Sequence, residues 1–377
     1  MALEYDFVIV GAGAHGLATA YELGKLGGES IGVLEADQVA SGASGGFGQR
    51  GVRANRRDLR ELPLMREANR IWPTLHEELN GPTGYSRTGG VYLIDGPAAS
   101  GFKGIEAADA YVRAQSSCGI PTVKWSADEV REVYPGISET IQGASYVATD
   151  GVASHEATTL AYRDAALQLG VQIVEDAAVT SVELDTDGRI VVLVTANCET
   201  VRVRKQVILT ANAGAREIVR EVSGTDLPLW TIYPQAAHLR TKAVPEIPML
   251  TGHETRSLSV KLLDGDIMLS GGWRGELTSD GPVVSPSRLA QNVSVLQSVF
   301  PYLTDLEVLS SDASRPESAT VDQIPIIGYV GPNLFVEAGW SGHGWALVPA
   351  VSKNVAISIK TNTVADCLRP FSPKRFQ

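Results

Sequence analysis

Three glycines near the N-terminus have the spacing of a phosphate-binding turn. Gly11, Gly13 and Gly16 follow the short apolar run 7–10 and precede a helical pattern of apolar residues. The first glycine of such a turn permits a tight bend, the second lets backbone N–H groups approach a pyrophosphate, and the third lets the helix lie close to the sheet. Glu35 ends the next predicted strand, where an acidic group can bind ribose hydroxyls. The alternative is an ordinary glycine turn, because this spacing also occurs by chance.

A glycine-rich loop follows at 36–51 and carries polar residues near its end. Five of its residues are glycine, which indicates that the backbone closely approaches another group. A flexible linker is the alternative, but Gln49, Arg50 and Arg53 supply polar contacts that a linker lacks. Arginine can bind a carboxylate through two charge-assisted hydrogen bonds. Arg53 is therefore a candidate for binding the carboxylate of a small molecule.

A second glycine turn near the C-terminus contains an ionisable side chain. Gly342, His343 and Gly344 precede Trp345 and a predicted helix over 346–360. The N-terminus of that helix carries partial positive charge and favours a partner that accumulates negative charge. We expect His343 to make a structural hydrogen bond, and the alternative is a catalytic acid or base. The other histidines show no metal-ligand spacing, so no metal site is predicted.

Length and composition favour a protein of two domains. The chain of 377 residues exceeds the usual size of a single core. It contains no apolar run approaching the ~20 residues of a membrane helix, so no membrane span is expected. A net charge of −11 disfavours nucleic acid as a partner. Three distant cysteines argue against a disulfide framework. The N-terminus has no basic region typical of a secretory signal, which predicts a cytoplasmic location.

The apolar periodicity predicts an α/β fold in which helices alternate with short strands. One helix is expected over 58–79. Three arginines at its start, Arg56, Arg57 and Arg60, are expected on a solvated helix face. A second small-residue turn, at 210–214, follows a predicted strand and precedes another helix.

Several segments, in this order, resemble the FAD-dependent amine oxidoreductases of the D-amino-acid oxidase, glycine oxidase and sarcosine oxidase type. The glycine turn, the loop at 41–53, the segment DQIPIIG and the segment GHGWALVPA carry the resemblance. It implies an α/β fold with a discontinuous Rossmann-like FAD-binding domain and an inserted antiparallel-sheet substrate domain (α+β). The implied bounds are 1–88, 146–227 and 313–377 for the FAD-binding domain, and 89–145 and 228–312 for the substrate-binding domain.

The resemblance also implies which residues contact FAD. His15 is expected to face the cofactor only through its backbone. The implied contacts are Gly11, Gly13, Ala14, His15 and Gly16 at the pyrophosphate; Glu35 and Ala36 at the ribose; Ser44, Gly45, Gln49 and Arg50 along the pyrophosphate and flavin; Val179 at the adenine; Ala211, Asn212 and Ala213 near the dinucleotide; and Gly342, His343, Gly344 and Trp345 at the isoalloxazine ring.

Four positions bear on substrate and acceptor. Arg53 matches an arginine that binds the substrate carboxylate in the sarcosine oxidase branch, and Arg315 matches one with the same role in the glycine oxidase and D-amino-acid oxidase branch. Alternatively, Arg53 is a surface residue or an FAD ligand. Arg315 also occupies the place of the cysteine that attaches flavin in the sarcosine oxidase branch, which predicts noncovalent FAD. Ala346 replaces a carboxylate-binding lysine. The resemblance places Met268 nearest the position at which the family has an oxygen-activating lysine, and no lysine is found there. This predicts that the reduced enzyme reacts slowly with oxygen, so the enzyme could be a dehydrogenase.

The implied activity is oxidation of the C–N bond of an amino acid or secondary amine acid to an imine, with hydride transfer to flavin N5 and subsequent hydrolysis. Arg53, Arg315 and His343 are the candidate catalytic residues. The acceptor is oxygen or an electron carrier, and a homo- or hetero-oligomer is possible. One alternative is an FAD-dependent 2-hydroxy-acid dehydrogenase. Another is the flavin-bearing subunit of a heteromeric amine dehydrogenase complex.

Overall fold

The computed structural model describes residues 3–44, 48–97 and 103–376. The strands are β1 (Leu3–Val10), β2 (Ile31–Leu34), β3 (Gln49–Val52), β4 (Gly90–Asp95), β5 (Val123–Ser126), β6 (Ile141–Val147), β7 (Gly151–Ser154), β8 (Gln172–Val174), β9 (Val179–Leu184), β10 (Ile190–Thr195), β11 (Thr200–Leu209), β12 (Leu229–Ile232), β13 (Ala236–Arg240), β14 (Leu250–His253), β15 (Ser259–Leu263), β16 (Asp266–Ser270), β17 (Glu276–Thr278), β18 (Gly281–Val283), β19 (Glu307–Asp312), β20 (Glu317–Thr320), β21 (Ile326–Tyr329) and β22 (Leu334–Ala338). The α-helices are α1 (Ala14–Leu26), α2 (Leu62–Ile71), α3 (Leu75–Glu78), α4 (Ile105–Ser117), α5 (Ala127–Val133), α6 (His155–Gln168), α7 (Ala215–Ser223), α8 (Pro286–Val299) and α9 (Val348–Thr361).

The first sheet is built around β1, which is buried on both faces. Its strand order is β21-β22-β11-β1-β2-β8, and β10 and β9 extend it beside β11. The strands from β22 to β8 are parallel. Phe7 and Ile9 face the core that contains α1 and α9, whereas Val8 and Val10 face the opposite core, as the alternation of side chains along a strand requires. A continuous apolar run is typical of such a central parallel strand.

The second sheet has the order β19-β13-β16-β15-β14-β4-β6-β5. Its pairs are antiparallel except β14 and β4, which run parallel. These two strands belong to separate chain segments, so no hairpin fixes their relative direction. One face packs on α5 and α8 to form a separate core. The fold is therefore the predicted discontinuous Rossmann-like domain with an inserted sheet, and that sheet contains one parallel pair. The exact domain bounds stay a prediction.

The single helix expected over 58–79 is wrong. The chain forms α2, a 3-10 turn at Trp72–Thr74 and the short α3. Pro73 lacks the N–H that would continue the α-helical hydrogen bonds, which accounts for the interruption. Within the described ranges, no helix is long and apolar enough to cross a bilayer.

Candidate active site

The first glycine turn has the geometry that its spacing predicts. Gly11 adopts a φ of +110°, and a Cβ there would lie 2.8 Å from the carbonyl oxygen of Thr210. A Cβ at Gly16 would lie 1.9 Å from the carbonyl oxygen of Gly11. The hydroxyl of Thr210 donates to the carbonyl oxygens of Val10 and Gly11, at 3.0 and 2.9 Å. Both glycines are therefore required by close backbone contacts between β1, α1 and the end of β11.

The middle of the turn is open and electropositive. Gly13 is exposed, and a Cβ there would meet no atom of the described residues within 4 Å. Helix α1 begins at Ala14 with no side-chain cap and no acidic residue in its first turn. Its first N–H groups are thus available to an anion, and the helix dipole favours negative charge there. Glu35 lies at the edge of the turn, where Oε2 accepts a hydrogen bond of 2.6 Å from the N–H of Ala12. This arrangement fits a dinucleotide pyrophosphate.

Substitution of Gly13 tests this fit directly. Gly13→Ala should leave the unfolding free energy of the apoprotein within about 0.5 kcal/mol of wild type, because φ is −76° and the Cβ direction is open. It should weaken FAD binding about tenfold or more, because the methyl group would occupy the pyrophosphate space. Titration of apoprotein with FAD measures this affinity. Gly16→Ala is the contrast, since it should destabilise the apoprotein itself. Unchanged FAD affinity in Gly13→Ala would contradict the assignment.

The residues predicted at the adenosine end lie where β2, β8 and β9 meet. Ala36 is exposed directly after Glu35, and Val179 is the first residue of β9. The N–H of Ala177 donates to the carbonyl oxygen of Glu35 at 2.7 Å, which holds the two segments together. Arg315 also lies at this end, and its Nη1 is 3.9 Å from Asp37 Oδ2. The structure therefore places Arg315 beside the loop that follows Glu35, with its side chain 44% exposed.

Glu317, which the sequence did not single out, joins the glycine-rich loop to the C-terminal turn. Its carboxylate accepts a hydrogen bond of 2.7 Å from Ser44 Oγ and one of 2.5 Å from the N–H of Gly342. Arg50 Nη2 donates to the carbonyl oxygen of Ser44 at 2.9 Å. Gln49 and Arg50 lie in β3, which pairs with β7. Gly45 lies outside the described residues.

The small-residue turn after β11 also joins this region. Asn212 Oδ1 accepts hydrogen bonds from the N–H and hydroxyl of Ser318, at 2.9 and 2.8 Å. The hydroxyl of Ser318 accepts from the N–H of Gly339 at 2.8 Å. Ala211 and Ala213 flank Asn212 and are partly buried. Strand β20 thus connects the turn after β11 with the C-terminal glycine turn, although the hydrogen-bonded Asn212 and Ser318 are 106 residues apart in the sequence.

Aromatic rings pack the C-terminal turn against the first turn. Trp340 stacks on His15 with ring centroids 3.7 Å apart, and a Cβ at Gly344 would lie 2.6 Å from the Trp340 ring. Trp345 contacts Trp72 and His155, at centroid distances of 5.2 and 5.0 Å. Its Nε1 is buried and has no hydrogen-bond partner among the described residues. The first and last segments of the chain therefore meet through the side chain of His15 as well as through the backbone.

His343 lies in a buried charge cluster formed with Arg57 and Glu61. Its Nδ1 is 3.2 Å from Arg57 Nη1 and 3.4 Å from Glu61 Oε1, and Arg57 Nη2 donates to the His343 carbonyl oxygen at 2.6 Å. Arg57 can only donate, so Nδ1 accepts from it in the neutral tautomer that carries its proton on Nε2. Burial would raise the pKa of Glu61, but the charge of Arg57 holds that pKa below its ordinary value. The cluster favours a structural role for His343.

The expectation that Arg56, Arg57 and Arg60 occupy a solvated helix face is wrong, because none of the three lies in a helix and two of them are buried. The side chains of Arg57 and Arg56 are only 2% and 7% exposed. Arg56 pairs with Glu254 and lies over the ring of Tyr111. Only Arg60 is exposed, beside Asp58. Residues 54–61 precede α2, so helical periodicity does not govern their orientation.

Arg53 is held by a buried polar network between the two domains. Its guanidinium lies 5.1 Å from the ring centroid of Tyr92 in β4, and it donates to the carbonyl oxygen of Asn55. Asp150 accepts hydrogen bonds from the N–H groups of Ala54 and Asn55, at 2.7 and 3.1 Å. Asn55 in turn donates to the carbonyl oxygen of Ser145 at 2.7 Å. Burial raises the pKa of Asp150 to about 6, although these N–H groups and Arg53 partly oppose the shift.

A buried acid lies beneath the first turn. Glu337 is fully buried in β22, where Oε1 accepts from Thr19 at 3.2 Å and Oε2 lies 3.7 Å from His15 Nδ1. Burial raises the pKa of Glu337 to about 8 and lowers the pKa of His15 to about 3. The pair is therefore a neutral acid beside a neutral imidazole at pH 7. Among the described residues, no group of three or more histidine, cysteine, aspartate or glutamate side chains could hold a metal ion.

The raised pKa of Glu337 predicts a pH-dependent stability. The native state retains this proton between the ordinary pKa of glutamate and about pH 8, whereas the unfolded chain releases it. Glu337 therefore lowers stability progressively as the pH rises from about 5 to about 8. Relative to Glu337→Gln, wild type should lose roughly 1 kcal/mol per pH unit in this window. Urea unfolding at several pH values measures the difference, with Glu221→Gln as an exposed control. Parallel profiles for wild type and Glu337→Gln would show that the prediction is wrong.

Comparison with known proteins agrees with this geometry. Residues 6–356 match the family described as DAO: FAD dependent oxidoreductase. Sarcosine oxidase subunit beta of Arthrobacter sp is 26% identical over 99% of this chain and 91% of its own length. Glycine oxidase of Geobacillus kaustophilus is also 26% identical, over 100% of this chain and 98% of its own length. The crystal structure of L-proline dehydrogenase from P. horikoshii has the same fold, with a TM-score of 0.88 at 23% identity, and the match covers 100% of this chain and 98% of that one. The chain belongs to this family of FAD-dependent oxidoreductases and is an enzyme whose cofactor is FAD.

Proposed function

We propose that this enzyme oxidises the C–N bond of an amino acid or a secondary amine acid to an imine. The observation that carries the proposal is Arg53, a guanidinium fixed at the end of β3 against the inserted sheet. The names of two relatives, a sarcosine oxidase subunit and a glycine oxidase, support the same substrate class. An amine acid of this kind presents a carboxylate, which is the group that an arginine fork binds best.

The reaction balances without a metal or a strong base. The substrate carbon loses a hydride and its nitrogen loses a proton, so that a C=N bond replaces the C–N bond. Water then adds to the imine and releases a carbonyl compound and an amine. When bound, FAD would supply the acceptor for the hydride. The chain must bind the carboxylate, orient the donor carbon and accept the substrate with an unprotonated amine.

Arg53 is better placed for the carboxylate than Arg315. Arg53 borders both β3 and Tyr92 of the inserted sheet, between the two domains. Arg315 lies instead beside Asp37, at the end of the first sheet where Glu35 is proposed to bind the ribose. We therefore assign the carboxylate to Arg53 and give Arg315 no part in substrate binding. His343, fixed by Arg57 and Glu61, holds the C-terminal turn by hydrogen bonds and transfers no proton.

The proposed FAD contacts follow the turns that the structure brings together. The first glycine turn would bind the pyrophosphate and Glu35 the ribose. The loop at Ser44 and the turn at Gly342, joined by Glu317, would border the flavin. Arg315 stands where one branch of the family has a flavin-linked cysteine, so we propose that FAD is bound without a covalent bond.

Anaerobic reduction tests the proposed reaction. The purified holoenzyme is mixed with a panel of D-, L- and N-methyl amino acids and 2-hydroxy acids while the visible absorbance of the flavin is followed. We expect bleaching with an amine acid and formation of the corresponding carbonyl product and amine. Bleaching by 2-hydroxy acids alone would replace the proposal with C–O oxidation. No bleaching by any compound would overturn it for the isolated chain.

A second candidate function is that of the flavin-bearing subunit of a heteromeric enzyme. Three relatives are each named sarcosine oxidase subunit beta, and this chain aligns with 82–91% of their lengths. The isolated chain would then be reduced by substrate but would pass electrons on only slowly. Isolation from its own cells, followed by turnover assays with and without any stoichiometric second chain, distinguishes the two cases. Full turnover by the isolated chain contradicts the subunit role.

A further inference from the structure

Lys261 is a buried lysine that the functional assignments above leave unexplained. It lies in β15, directly opposite Met268 of β16, and is 5% exposed. Its neighbours Val260 and Leu262 face the core of the inserted sheet. Alternation along the strand therefore directs Lys261 to the opposite face, together with Met268. Lys261 and Met268 therefore lie side by side on that face of the sheet.

Strand β3 crosses this face of the sheet. A Cβ at Gly48 would lie 3.3 Å from Met268 Sδ, and a Cβ at Gly51 would lie 2.9 Å from Leu250 Cδ2. In β14, the residue after Leu250 pairs with Val260 of β15. Extending this antiparallel register by one residue places Leu250 opposite Lys261, which pairs on its other side with Met268. Lys261 is thus located between the two points at which residues 48 and 51 contact the sheet. Strand β3, which covers Lys261 on this face, follows the loop at Ser44 that is proposed to border the flavin.

The ammonium group of Lys261 has no counter-charge in the part of the chain that the structure describes. Among the described residues, no hydrogen bond or ion pair to its Nζ is present, and the charged group that most affects it is Arg50, which has the same sign. Burial, followed by Arg50, lowers the pKa of Lys261 to about 7. A buried cation without a partner is costly, and it becomes favourable only when an anion occupies the adjoining space.

Strand β3, which covers this face of the sheet, is next to the proposed flavin site. The loop that leads into β3 is joined through Glu317 to the C-terminal turn at Gly342, so β3 borders the space between that turn and the inserted sheet. Negative charge accumulates on a flavin when it receives a hydride, and a fixed cation nearby stabilises that charge. We propose that Lys261 is presented from β15 to the flavin cavity and that its charge stabilises negative charge on the bound flavin.

The test uses holoenzyme without substrate. Sulfite, which adds to oxidised flavin and gives it negative charge, is titrated by absorbance, and the flavin reduction potential is measured by equilibration with a reference dye. In Lys261→Met the sulfite dissociation constant should rise about tenfold or more, and the potential should become more negative. Lys261→Arg should retain most of the wild-type behaviour. Lys242→Met, at an exposed position, should change neither quantity.

Stability of the apoprotein gives an independent readout. In Lys261→Met, the methionine keeps the aliphatic packing next to Met268. It also removes an unpaired buried charge. Lys261→Met apoprotein should therefore be at least as stable as wild type. The proposal is overturned if this variant is less stable, or if it keeps wild-type sulfite affinity and reduction potential. It is also overturned if Lys261→Arg and Lys261→Met change the sulfite dissociation constant and the reduction potential equally. No amino acid is used, so the outcome does not depend on the proposed substrate.

Discussion

Replacement of Arg53 by methionine should raise the dissociation constant of the reducing amine acid about 100-fold or more while FAD remains bound. Removal of one partner from a hydrogen-bonded charge pair costs about 2–5 kcal/mol, and about 1.4 kcal/mol corresponds to a factor of ten. The methionine side chain would retain the apolar contact with Tyr92 but would offer the carboxylate no donor. Anaerobic titration of flavin bleaching measures the constant, and the rate at saturation shows whether orientation is also lost.

Arg315→Met is the matched control for this prediction. The Arg315 side chain is 44% exposed and lies near Asp37, so its replacement should leave the dissociation constant of the amine acid within about twofold of wild type. Arg53→Lys should be intermediate, because an ammonium retains the charge but not the planar fork. If Arg315→Met weakens binding and Arg53→Met does not, the carboxylate assignment must be exchanged between the two. Equal binding in both variants would remove the carboxylate clamp altogether.

The parts of the site that could be predicted are those determined by neighbouring residues. A Cβ at Gly16 would collide with the carbonyl oxygen of Gly11 in the same turn, whereas a Cβ at Gly11 would collide with the distant Thr210, although the glycine spacing alone signals a close contact. The same is true of the burial of β1, whose apolar run follows from its central position in a parallel sheet. In both cases the pattern that signals the structure lies within a few residues, so the sequence alone is sufficient to recognise it.

The residues that were missed owe their roles to distant partners. Glu317 joins Ser44 to Gly342, and Asp150 holds the backbone next to Arg53 across about 95 residues of sequence. Nothing in the neighbourhood of either carboxylate indicates its partner. Lys261 is similar, because only the pairing of β15 with β16 places it opposite Met268. A charged residue within an otherwise apolar strand is the one local signal that could have identified it.

The charge pair of Arg57 and Glu61 leads to the second prediction with a large effect. Both side chains are nearly inaccessible, at 2% and 1% exposure, and Arg57 Nη1 lies 3.3 Å from Glu61 Oε1. Glu61→Gln leaves the arginine buried without its counter-charge, which should lower the unfolding free energy of the apoprotein by about 3–5 kcal/mol. Arg57→Met should cost a similar amount, because it leaves the carboxylate unpaired. Urea unfolding of the apoproteins measures both losses.

The double variant separates loss of the pair from loss of packing. Arg57→Met combined with Glu61→Gln leaves no buried charge at either position, so it should be more stable than either single variant. FAD affinity provides a different comparison, because Arg57 Nη2 also donates to the His343 carbonyl oxygen at 2.6 Å. The double variant should therefore regain stability but still bind FAD more weakly than wild type. If stability losses simply add, the two groups do not act as a pair; if FAD affinity recovers as well, Arg57 does not position the C-terminal turn.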